Sequence, residues 1–288
     1  MKKKLREAVL TAPSFVWLAL LFVLPTLLVV VLAFRPADPF GGIGRGWTLA
    51  SLRSILNPYD LEVALRTLWI SAAVTAISLV LAVPTGYAMA RASSKRRNML
   101  LLLVIVPFWT SFLIRIFAWK SLLHPDGPVK KLLVLLGLVG EPTSLLYNPG
   151  AVVLVMVYTF LPFAILPIYA AAEKFDVRLI EAARDLGAGP FAAFRKVFLP
   201  GIRQGLLTAV LVVLIPSLGS YVASDLVGGP SGEMLGNKIA QRVFVDRNLP
   251  HASALSIVLI LAVLAPFLIV LMLQKRKGRP AVVLEEGL

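Results

Sequence analysis

The sequence is divided by stretches of about 20 apolar residues, and this feature restricts the fold more than any other. A helix of that length matches the ~30 Å hydrocarbon core of a bilayer. Lipid offers no partners for backbone N–H and C=O groups, so such stretches must satisfy them internally, as helices do. Six segments qualify, at residues 14–34, 66–90, 98–119, 151–172, 204–226 and 253–274. The composition agrees: 58% of the 288 residues are hydrophobic and 15% are charged, against roughly 25% charged in soluble domains. Mean hydropathy is +0.86. The intervening segments are too short for a second domain, so residues 1–288 read as one transmembrane domain. The expected fold class is an all-α integral membrane protein with six transmembrane helices. The basic start and long apolar run at the N-terminus are expected to be a retained first span, because a signal peptide has a shorter core and a small-residue cleavage site.

The net charge is +14. Its distribution reads as a topology signal and not as a nucleic-acid patch. If the N-terminus is cytoplasmic, 18 basic residues flank the spans on the cytoplasmic side and ten lie in the opposite, longer loops. Acidic residues divide 7 inside and 8 outside. The basic excess inside obeys the positive-inside rule. Both termini and residues 173–203 are therefore expected in the cytoplasm.

Every span contains proline: Pro25, Pro84, Pro107, Pro162 with Pro167, Pro216, and Pro266. Proline removes a backbone donor and kinks a helix. It is common in membrane helices, where neighbours satisfy the freed carbonyl. A kink in every span fits a bundle that bends or encloses a cavity better than a rigid anchor. There are no cysteines. The two histidines, His124 and His251, read as loop residues without metal-ligand spacing.

The segment "EAARDLGAGPFAAFRKVFLP", Glu181–Pro200, is charged and rich in small residues between two apolar runs. Asp176 can cap a helix starting at Val177. Gly187 offers the left-handed position that ends one, and Pro190 suits the first turn of the next. Ala183 and Gly187 lie four apart on one face, where small side chains admit another backbone. Glu181, Arg184 and Asp185 place charge beside that face. Two readings stand: an amphipathic helix on the membrane, or a rigid knob offered to a cytoplasmic partner.

Glu181-Ala182-Ala183, three residues, Gly187, nine residues, then Val197-Phe198-Leu199-Pro200 resembles the EAA motif of ABC-importer permeases, with Val197 at the usual isoleucine. The stretches 106–119, 158–176, 216–229 and 234–239 resemble spermidine/putrescine permease subunits. The resemblance implies a type I ABC importer permease fold with a cytoplasmic coupling helix, carrying Glu181, Ala182, Ala183, Arg184, Asp185 and Gly187, that docks on an ATPase. It implies a bacterial inner-membrane location and partners: two ATP-binding cassette subunits, a second and different permease, and an extracytoplasmic substrate-binding protein. Membrane lipid surrounds the chain and nucleic acid is not expected. The chain is expected to bind no cofactor, with ATP and Mg at the ATPase subunits. A polyamine is the leading substrate; another amine, an opine or an organic acid would use the same machinery.

In the fifth span Ser217, Ser220, Tyr221, Ser224 and Asp225 recur at the spacing of one helix face. A polar stripe in a span faces the bundle interior or a water-filled cavity. Asp225 can attract a cation there and Tyr221 can offer a ring face; the plainer reading is a membrane boundary with packed serines. Arg115 either snorkels to the interface or pairs with Asp225 at similar depth. Trp109, Thr110, Ser111 and Tyr158 are further candidates for a translocation path. No phosphate-binding G-x-x-x-x-G-K-[ST] loop occurs, and no nucleophile–base arrangement is evident, so the chain is expected to be a transport subunit and not an enzyme. An ion-coupled secondary transporter is the competing class; it lacks support from an inverted repeat or intramembrane carboxylates.

Overall fold

The structure is a computed structural model that describes residues 11–275. Among the described residues four helices are long and apolar enough to cross a membrane: α1 (Thr11–Ala33), α3 (Pro58–Ala90), α7 (Pro149–Glu173) and α13, whose apolar part is Leu249–Val270 and which ends at Lys275. Between them lie α2 (Ala50–Ser54), α4 (Ser94–Ile105), α5 (Phe112–Leu123), α6 (Pro128–Leu135), α8 (Arg178–Asp185), α9 (Pro190–Gly201), α10 (Arg203–Leu218), α11 (Val222–Val227) and α12 (Leu235–Phe244). The 25 residues of α7 extend about 37 Å at 1.5 Å per residue, enough for the hydrocarbon core.

The third and fifth apolar segments differ from the expectation of one continuous helix each. Ser94–Trp109 and Phe112–Leu135 meet at 93°. Pro107 has no N–H to continue α4, so Val106–Trp109 tightens to a 3-10 turn and Thr110 is extended. The 16 residues of α10 span only about 24 Å. They follow Pro190–Gly201 at a 71° bend and stop at Leu218. Elsewhere proline is absorbed: Pro84, Pro162, Pro167, Pro216 and Pro266 lie inside helices. Before Pro25 the helix widens to a π turn over Ala19–Val23, and the Leu24 N–H bonds Ala19 O.

The chain divides into two compact units. One comprises residues 1–65 and 234–261. Its core is Ala33, Ile55, Val63, Leu235, Ala254 and Leu255. Beside that core His251 Nε2 lies 3.1 Å from Asp60 Oδ2, with both side chains buried. His251 is thus in the first turn of α13 and not in a loop. Asn57 Nδ2 donates to the same carboxylate oxygen at 2.6 Å. The large apolar side chains of α1, among them Phe15, Trp17 and Phe22, are exposed in the isolated chain, as a lipid-facing or partner-facing span requires.

The other unit comprises residues 66–233 and 262–288. Helix α7 is its axis. Asn148 caps it, Oδ1 accepting from the Ala151 N–H at 2.9 Å, and Pro149 occupies the first turn. Val152, Val155, Met156, Ala164 and Ile168 are buried along it. Helix α10 packs against α7 with no room for a side chain at Gly205. A Cβ there would lie 2.5 Å from Ala171 Cβ and 2.8 Å from Pro167 O. Small residues let membrane helices approach this closely, and dispersion then holds them. Two buried hydroxyls close on their own helices: Thr159 donates to Val155 O at 2.8 Å and Ser217 to Val213 O at 2.7 Å. In an apolar medium these bonds remove the penalty of an unpaired donor.

Candidate functional site

Residues 174–203 form a folded loop between α7 and α10. Asp176 Oδ1 accepts from the Arg178 N–H at 3.0 Å, so the helix begins at Arg178, one residue later than the sequence suggests, with Val177 at its cap. Glu181 sits in the first turn, where a carboxylate complements the helix dipole, and Arg184 in the last. Gly187 has φ 88°, and no atom lies within 4 Å of a Cβ built on it, so the backbone angle and not space demands glycine. The Gly187 N–H bonds Arg184 O at 2.9 Å and the Ala188 N–H bonds Ala183 O at 3.0 Å. These bonds close the helix end. Pro190 then starts α9.

The turn orders one surface. Glu181, Ala182, Arg184, Asp185 and Gly187 are exposed and Ala183 is half-buried, while Ile180 anchors α8 inward. Leu186 is 89% exposed and Phe191 is exposed beside it. Neither stood out in the sequence; the signal was two apolar residues, Leu186 and Phe191, on either side of the Gly187–Pro190 turn. The loop therefore presents an apolar tip rimmed by Glu181, Arg184 and Asp185, the composition of a protein-docking knob. Any partner is outside this chain.

The candidate path residues fall on two broken segments and, for Tyr158, on the continuous α7. Trp109 is 76% exposed, and Thr110 and Ser111 are exposed in the extended link, with Thr110 Oγ1 donating to Pro107 O at 2.7 Å. Arg115 lies just inside α5. Its guanidinium carbon is 5.5 Å from the Phe108 ring centroid, and its Nε and Nη1 are buried without a hydrogen-bond partner. Tyr158 packs its ring edge-on to Trp119 at 5.4 Å.

The polar stripe of the fifth segment is not one helix face. Helix α10 ends at Leu218, and α11 starts only at Val222. The Ser220 N–H reaches Ser217 O at 3.2 Å in a tightened turn. Pro216 and Gly219 weaken helical continuation there. The break separates the five residues. Ser217 and Ser224 are buried, Ser217 bonding Val213 O and Ser224 Oγ bonding Gly232 O at 2.6 Å. Tyr221 and Asp225 are exposed, and Ser220 is half-buried. Helix α11 packs on both α5 and α7, so the segments that carry Asp225 and Arg115 are neighbours.

Residues 82–278 match the family described as binding-protein-dependent transport system inner membrane component. The chain belongs to that family. It is 37% identical over 251 residues to the spermidine/putrescine transport system permease protein PotB of Haemophilus influenzae, covering 87% of this chain and 88% of the relative. The PotB protein of Escherichia coli is 36% identical over 243 residues, covering 84% and 88%. The inner membrane ABC transporter permease protein YdcU of Escherichia coli is 35% identical over 228 residues, covering 75% and 72%. Among solved structures, a bacterial ABC transporter involved in import of the acidic polysaccharide alginate superposes with TM-score 0.67 at 17% identity over 96% of this chain and 98% of that one. The MetNI methionine ABC transporter gives 0.56 at 21% identity over 78% and 100%. These superpositions give the type I importer permease fold, and the family match makes the chain an inner-membrane transport component.

Proposed function

We propose that this chain is a permease subunit of an ATP-driven importer of polyamines, spermidine and putrescine among them. The observation that carries the substrate class is the 36–37% identity to the PotB permeases over more than four-fifths of both chains. Residues 174–203 face the cytoplasm in this reading, as do both termini, consistent with the basic residues that flank them. The exposed α8 tip, with Glu181, Ala182, Ala183, Arg184, Asp185, Leu186 and Gly187, docks into an ATP-binding cassette subunit. ATP and Mg bind at two such subunits. A second permease chain completes the pathway, and a substrate-binding protein delivers solute from outside.

Transport is alternating access. Nucleotide-driven closure of the ATPase pair displaces α8, and the bent segments at 106–111 and 219–221 move relative to α7. Trp109, Thr110, Ser111, Arg115, Tyr158, Ser217, Ser220, Tyr221, Ser224 and Asp225 belong to the segments that flank the path. Among them the exposed Tyr221 ring and the Asp225 carboxylate suit an organic polycation: one by its π face, the other by charge.

The test is uptake of labelled spermidine and putrescine into proteoliposomes holding the permease with its ATPase, second permease and binding protein. ATP-dependent uptake is expected, and Glu181→Ala is expected to lower it about tenfold, the loss of roughly 1.4 kcal/mol of coupling. ATPase activity stimulated only by a different solute would remove the polyamine assignment. Full uptake without an ATPase subunit would overturn the importer reading.

A further inference from the structure

Four aromatic rings meet where the 174–203 loop joins the helices. Tyr87 comes from the last turn of α3, Phe175 from the exit of α7, and Phe194 and Phe198 from the π turn within α9. Phe198 is the hub. Its ring lies 4.7 Å from Tyr87 at 71°, 5.4 Å from Phe175 at 86°, and 5.2 Å from Phe194 at 27°. Tyr87 and Phe194 close the set at 5.6 Å and 87°. Phe198 is 1% exposed. Edge-to-face rings with two torsions each interlock with little freedom to slide.

The surroundings clamp these rings further. Arg91 covers Tyr87, with its guanidinium carbon 5.3 Å from the ring centroid, and Arg91 Nη1 donates to the Tyr87 hydroxyl at 2.6 Å. At Gly201 the backbone passes flush against Phe175, and a Cβ there would collide with its ring. On the other side, α8 packs against the π turn that carries Phe194 and Phe198. The π turn places those two residues on one face, and such turns concentrate at functional positions. Phe198 is thus the one ring of the four that touches all three others, joining the π turn to both α3 and the exit of α7.

We infer that Phe198 is a positioning residue for transport: the hub of an aromatic knot that makes the α8 loop and the adjoining ends of α3 and α7 move as one body. The inference rests on the proposed coupling role of α8 and assigns how that displacement leaves the loop. Without the hub ring, the α8 tip still docks, but its displacement dissipates within the loop. Hydrolysis then continues while uptake falls.

The chain has no cysteine, so a pair can be introduced without background. Arg178→Cys on α8 and Ser93→Cys beyond α3 are both exposed and carry spin labels in the reconstituted transporter. With the native Phe198, the 93–178 distance is expected to stay within about 2 Å between nucleotide-free and ATP-trapped states, the range of motion within a rigid body. In Phe198→Leu the distance distribution should broaden and shift by several ångströms. Uptake per ATP hydrolysed should drop about fivefold or more, with ATPase subunits still co-purifying. Phe175→Leu removes one outer ring and should give about a twofold loss; it decides the matter if Phe198→Leu fails to assemble. Wild-type uptake per ATP in both assembled variants, with an unchanged distance, would overturn the knot. The unlabelled wild type and Glu181→Ala separate this failure from that of the coupling reading. If those two transport alike without ATPase, the coupling reading itself has failed; if wild type is ATP-driven and Phe198→Leu matches it, only the knot has failed.

Discussion

Helix α7 carries Pro162 and Pro167 and runs unbroken for 25 residues, whereas the segment around the single Pro107 turns through 93°. Each proline deletes the same backbone donor. The difference lies in what surrounds it. Along α7, Pro162, Ala164, Ile165 and Ile168 are buried, and α10 lies against the helix at Gly205. Close packing on several sides leaves the helix nowhere to bend. Around Pro107, Ile105, Val106 and Trp109 are exposed in this chain, and Phe108 alone of the turn packs its ring on α7, at Phe163, so little within the chain opposes a turn. Between these two segments packing, and not the count of prolines, marks the difference; Pro25 in the exposed α1 is instead absorbed by the π turn before it.

The largest test of that contrast is Gly205→Leu. The new side chain would enter the space of Ala171 and Pro167 O, and overpacking of this kind costs about 1–3 kcal/mol or more. The unfolding midpoint in mixed detergent should fall accordingly, and cross-linking across α7 should report a bend at Pro162 or Pro167. A change below ~0.5 kcal/mol, typical of an unconstrained surface site, would mean that α10 does not hold α7 straight.

A smaller effect distinguishes two buried hydroxyls. Ser224→Ala leaves Gly232 O without its donor between α11 and the turn that follows, and should cost about 1 kcal/mol. Ser217→Ala removes only a bond to its own helix and should cost a few tenths. The same unfolding assay orders the pair, and equal costs would show that the segment is braced elsewhere.

The smallest expected change is in Pro107→Ala. Restoring the donor should leave the bend in place, because Thr110 and Ser111 are extended and Thr110 Oγ1 holds Pro107 O. Spin labels at positions 99 and 117 should report an unaltered distance, with uptake within about threefold of wild type, under 1 kcal/mol. A straightened α4–α5 segment would return the decision to the proline alone.

The loop and the path differ in how far they could be read. Asp176, Gly187 and Pro190 are local signals: each acts on backbone groups a few residues away, so the order helix, turn, helix was legible, with the start displaced by one residue. The stripe from Ser217 to Asp225 was read as periodic, but periodicity presumes a continuous helix. That helix ends at Leu218, so Ser217 and Ser224 turn inward while Tyr221 remains exposed. Arg115 was weighed by depth, and depth cannot say that its guanidinium lies over Phe108.

By itself the sequence determined the apolar segments, the helix start beside Asp176, and the left-handed stop at Gly187. These follow from hydrophobic transfer and from hydrogen bonds closed within one or two turns. The tertiary structure alone decided which prolines bend, and which serines face inward. It also decided that His251 meets Asp60 across 191 positions, and that Phe198 sits among three rings. Those outcomes depend on surfaces brought together from distant parts of the chain, where steric fit and not local propensity selects the conformation.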